Sequence, residues 1–122
     1  MNAVQLPLVV EAVLLLTAMA FGAALGLRAK PYGKVKLSFH LFFFLWFATG
    51  YYFVAQAVWS SHGWNGPGIA VLVMGIALLV QLATGLRMLV SKKPRNRWPI
   101  VHGVSAGFVL VADIAAFLLS GS

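Results

Sequence analysis

Four apolar runs dominate the chain, at residues 5–27, 36–60, 67–90 and 98–120. Each meets or exceeds the roughly 20 residues that a helix needs to cross a bilayer. The breaks between them carry loop chemistry: Arg-Ala-Lys-Pro-Tyr-Gly-Lys from Arg28, Ser-His-Gly-Trp-Asn-Gly-Pro-Gly from Ser61, and Ser-Lys-Lys-Pro-Arg-Asn-Arg from Ser91. Gly, Pro, Asn and Ser punctuate all three. Connections this short make successive helices antiparallel neighbours. The expected architecture is all-α, an integral membrane up-down-up-down four-helix bundle, forming a single transmembrane domain over residues 1–122. No soluble domain, internal repeat or low-complexity tract is expected. Nor is the first run expected to be a cleaved signal peptide, because it lacks a basic leading region, is too long, and is followed by further runs.

Composition closes off the other classes. Of the 122 residues, 61% are hydrophobic and 9% charged, against about 45–50% and 25% in soluble domains. A small globule leaves about 40% of its unfolded chain's surface wet, so it cannot hide this much apolar area. The chain is also too apolar for a disordered tail. It has no cysteine, which excludes disulfide frameworks, thiolate metal sites and cysteine nucleophiles. The net charge of +7 arises from nine bases against two acids. The bases are Arg28, Lys30, Lys34, Lys36, Arg87, Lys92, Lys93, Arg95 and Arg97, all at one end of the expected bundle. The positive-inside rule puts that end in the cytoplasm and both termini outside, as in a bacterial inner membrane. Bases so placed serve topology and contact with anionic lipid. No nucleic-acid partner is expected.

The histidines are the first candidates for chemistry. His62 falls in the second break and reads as a solvated loop residue. His40 and His102 each lie four residues into the second and fourth runs, which point the same way. At about 1.5 Å per residue, both imidazoles reach about 6 Å below the same edge. Two imidazoles at one depth on alternate helices can approach a flat ring from opposite faces, which suits haem iron with two axial histidines. Met88 offers a minor alternative as an axial ligand beside one histidine.

Small residues occur at that depth on the other helices. Gly22 and Gly26 lie near the basic end of the first run, Gly85 near that of the third, and Gly103, Ala106 and Gly107 surround His102. They make room for a macrocycle or, equally, for close helix packing. Arg87, Lys36 and Arg97 are placed to meet acidic groups at the basic edge. Phe43, Phe44 and Phe47 share the His40 side and are placed to pack on such a ring.

Both acids fall inside runs. Glu11 and Asp113 lie at similar depths in the far half, where an ionised carboxyl is costly; each is expected to be neutral or paired and to face inward. Helical phase agrees. Asp113 follows His102 by eleven residues, about 20° around the helix. The pairs Glu11 and Gly22, and His40 and Tyr51, have the same spacing. Glu11, Tyr51 and Asp113 therefore form either a proton-handling or quinone site or a self-satisfied polar knot, to which Gln56 and Gln81 add hydrogen bonds. Thr17, Thr49 and Thr84 need only bond their own helix carbonyls.

The histidine pair on the second and fourth helices resembles small membrane b-type cytochromes, both cytochrome b561-like bundles and haem-bearing anchor subunits of quinone-linked dehydrogenases. That resemblance implies one haem b ligated by His40 and His102. It also implies electron exchange with a quinone, and partner protein subunits or a homo-oligomer. The two-haem members need four ligating histidines, and only His62 is left here. Glu11, a lone acid in the first of four helices, is similar to the small multidrug resistance family, which implies proton-coupled transport. A cofactor-free structural subunit of a membrane complex is the third reading.

Overall fold

The computed structural model describes residues 1–26, 33–90 and 98–121. Four helices account for nearly all of them: α1 (Gln5–Gly26), α2 (Lys34–His62), α3 (Gly66–Val90) and α4 (Trp98–Leu119). All four are long and apolar enough to cross a membrane. Their outward surfaces carry Val13, Trp46, Leu79 and Val111, all exposed, the arrangement of a chain solvated by lipid. The protein is an integral membrane four-helix bundle. Pro7 and Pro99 sit in the first turns of α1 and α4, where a missing N–H costs no helical bond. Asn2 caps α1, its Oδ1 accepting from the Val4 and Gln5 amides at 3.0 and 2.9 Å.

The helices form a square. Among the described residues α1 packs on α2 and α4, and α3 packs on the same two; neither diagonal pair brings its backbones together. The buried positions explain the packing. On α1 they include Leu8, Glu11, Leu15 and Ala18, three, four and three apart; on α4 they include Ala106, Val109, Asp113 and Ala116 in the same rhythm, which Ser120 continues just past the helix end. This three-four spacing is the heptad seam of helices packed nearly parallel to one another.

The seam sorts the interior into layers. Nearest the far end, Leu8, Val54, Val58, Val71 and Ala116 form an apolar layer. Glu11 and Asp113 follow. A second apolar layer of Leu15, Phe47, Met74, Val109 and Ala112 comes next. The histidines lie beyond it, toward the end that carries Lys34, Lys36 and Arg87. The other six bases, Arg28, Lys30, Lys92, Lys93, Arg95 and Arg97, lie outside the described residues.

One boundary differs from expectation. His62 is the last residue of α2 rather than a loop residue, so the connection to α3 shortens to Gly63, Trp64 and Asn65. Gly63 ends the helix at φ +59°, its N–H donating to the Trp59 carbonyl at 2.9 Å. That positive φ favours glycine.

Candidate functional site

His40 and His102 stand near the starts of α2 and α4, on opposite corners of the square. Both helices run from the basic end, so the two imidazoles enter one layer across the diagonal. Their ring centroids are 6.1 Å apart, with the planes inclined at 68°. A metal ion held at about 2.0–2.1 Å by one nitrogen of each ring needs centroids about 6 Å apart. The spacing fits.

Each ring is oriented through Nδ1. His40 Nδ1 lies 2.7 Å from the Ala18 carbonyl oxygen of α1. A carbonyl only accepts, so Nδ1 carries the proton and Nε2 keeps its lone pair. His102 Nδ1 lies 2.8 Å from Thr84 Oγ1 on α3. The Thr84 hydroxyl proton is directed to the Val80 carbonyl at 2.8 Å. Thr84 thus accepts from Nδ1–H, and His102 Nε2 also keeps its lone pair. Metal-binding histidines use this second hydrogen bond to fix tautomer and ring orientation. Gln81 Nε2 donates to His102 Nε2 at 3.2 Å, and its Oε1 accepts from the Ser105 hydroxyl. Ligation through His102 Nε2 therefore requires the Gln81 amide to turn away.

Two of the six small residues expected around the pair, Gly22 and Gly85, touch it. A β-carbon at Gly22 would lie 2.9 Å from His40 Cε1, and one at Gly85 would lie 3.1 Å from His102 Cε1. Any side chain there would push on a ring already held by its hydrogen bond. Ala106 is buried one turn beyond His102. Gly26 closes α1, and its surroundings lie outside the described residues. Gly103 and Gly107 differ from expectation: a β-carbon at either meets nothing within 4 Å, so neither makes room beside His102.

A cleft of about 100 Å³, open on one side, begins at the histidines. Cofactor sites typically occupy about 300–1,000 Å³, so seating a macrocycle here requires the cleft to widen. Gly22 and Leu25 of α1, His40, Leu41 and Phe44 of α2, and Gln81, Leu82, Gly85, Leu86, Met88 and Leu89 of α3 line it with His102. Leu41, Leu82, Leu86 and Leu89 are exposed, so the cleft opens between α2 and α3 toward the hydrocarbon. Of the expected aromatic wall only Phe44 lines it. Phe43 stacks on Phe21 of α1 at 5.9 Å, and Phe47 belongs to the second apolar layer. Arg87 is exposed, its guanidinium 5.5 Å over the Trp98 ring.

In the far half, Glu11 and Asp113 are 2% and 1% exposed and near enough for one charge to act on the other. Tyr51 does not join them by a hydrogen bond. Its hydroxyl donates to the Val71 carbonyl at 2.7 Å, with its ring tip against Gly75. The two glutamines expected to help do not. Gln56 pairs with Tyr52 one turn back on the exposed face of α2, and Gln81 serves the histidine layer. Two residues of that layer, Thr84 and Ser105, carry no sequence signal of their role, because a hydroxyl in a membrane helix already has a partner in its own backbone.

Compared with protein-family models, with curated proteins and with solved structures, the chain matches none.

Proposed function

We infer that the chain is a membrane b-type cytochrome that holds one haem b between His40 and His102. In this reading it passes single electrons between a quinone pool and a partner protein. The observation that carries the reading is the diagonal histidine pair, with centroids 6.1 Å apart and both Nδ1 atoms engaged elsewhere. When bound, the haem supplies a reversible one-electron couple. The chain's own residues do the rest. Ala18 and Thr84 hold the two rings in the tautomer that offers Nε2. Gly22 and Gly85 let the rings seat against α1 and α3. The leucines of the cleft keep water away and leave a path from the bilayer, the side from which a quinone would come. The chain is read as lying in a bacterial cytoplasmic membrane, with the basic end inside and both termini outside.

The test is haem content in variants. His40→Ala and His102→Ala are each expected to purify as helical protein with less than a tenth of the haem of the unsubstituted chain. Haem retained in both would overturn the axial assignment.

A further inference from the structure

The acid layer has no part in haem binding, and its geometry asks for a ligand of its own. Glu11 and Asp113 sit on heptad seam positions of neighbouring helices, each at least 98% buried (2% and 1% exposed). Glu11 Oε2 and Asp113 Oδ1 have no hydrogen-bond partner. The second Glu11 oxygen rests against Gly50 of α2, in the space that a β-carbon there would fill. A polar knot that fixes helix register satisfies its own oxygens; here one oxygen of each acid stays unpartnered.

Among the described residues nothing nearby neutralises the pair. α2 presents Gly50 and Tyr51, and the Tyr51 hydroxyl is committed to Val71. The α3 neighbours in the flanking layers, Val71 and Met74, are apolar, and α1 and α4 carry no other charged residue in their helices. The described bases, Lys34, Lys36 and Arg87, stand at the other end. The nearest histidine on α4, His102, is eleven residues away, about 16 Å along the helix. Two like charges in a shared apolar site cannot both persist. A proton on one carboxyl removes one charge and gives an unpartnered oxygen a hydrogen to share.

We propose that Glu11 and Asp113 form an occluded proton site, in which the two carboxyl groups hold an exchangeable proton between the apolar layers of the bundle. Ser120, seven residues beyond Asp113 and about 20° around the same face, has a buried hydroxyl with no partner. The Ser120 carbonyl receives Asn2 Nδ2 at 2.8 Å at the mouth of the bundle. Apolar layers close the site on both sides, Leu8, Val54, Val58, Val71 and Ala116 toward the far end and Leu15, Phe47, Met74, Val109 and Ala112 toward the basic end. The site gives the chain a proton to move whether or not it also carries electrons.

Infrared spectroscopy of the purified chain in lipid vesicles tests this without haem. At neutral pH the unsubstituted chain should show a carboxylic-acid C=O band that shifts in deuterated water and shrinks as the pH is made alkaline. Glu11→Gln with Asp113→Asn should lose the whole band while circular dichroism keeps the helical signal. An absent band at neutral pH would overturn the proposal, since both acids would then be ionised. A band that neither shifts on deuteration nor falls at alkaline pH would also overturn it, since the proton would then be structural. The titration of the unsubstituted chain decides the question even if the double variant fails to fold.

Discussion

Thr84 shows how a site can turn on a residue whose sequence looks inert. Its hydroxyl donates into its own helix at Val80, as membrane threonines do, and its remaining lone pair receives His102 Nδ1–H. Removing it frees the ring to rotate or change tautomer. Thr84→Val is expected to weaken haem affinity by about 10–100-fold, the usual cost of losing a ligand's outer hydrogen bond, whereas Thr84→Ser stays near the original value. Titration of purified variants with haem reads the difference, and equal affinities would remove Thr84 from the site. His40, His102, Gly22 and Gly85 were legible because depth arithmetic needs only the spacing of residues along a rigid helix. Thr84, Ser105 and the true place of Gln81 were not, because they depend on the rotation of α3 against α4. Gly103 and Gly107 were misjudged for the same reason: nearness in sequence to His102 says nothing of the face they occupy.

At the scale of elements, the four helices follow directly from apolar length, and their ends follow from local chemistry that is harder to weigh. The extra turn that takes α2 to His62 depends on Gly63, which closes the helix at a positive φ. A β-carbon in that conformation costs about 1–3 kcal/mol. Gly63→Ala should lower the unfolding free energy in detergent by about that amount without altering haem binding, which lies at the other end of α2. A variant as stable as the parent would show that the turn tolerates a different backbone. The diagonal placement of α2 and α4 also belongs to this scale. Short connections put consecutive helices side by side, which leaves the second and fourth to face each other across the square. That was readable from loop lengths alone. Gln56 was not, since it pairs with Tyr52 outside the seam.

For the whole molecule, the paired histidines and the buried carboxyl groups among the described residues lie in two layers separated by Leu15, Phe47, Met74, Val109 and Ala112. The histidine layer lies by the basic end and the carboxyl layer toward the other. In the reading offered here the first faces the cytoplasmic half of the membrane, so the short connection at Trp64 lies outside. The chain has no cysteine, so Trp64→Cys in intact cells should react with a membrane-impermeant thiol reagent. Labelling only after the cells are opened would reverse the orientation. The central claim remains the haem between His40 and His102. The measurement that reaches it most directly is the dithionite-reduced absorption spectrum of the purified, helical chain after titration with haem. A b-type alpha band saturating at one haem per chain is the result expected. Folded protein that binds no haem, or binds it without that band, would contradict it.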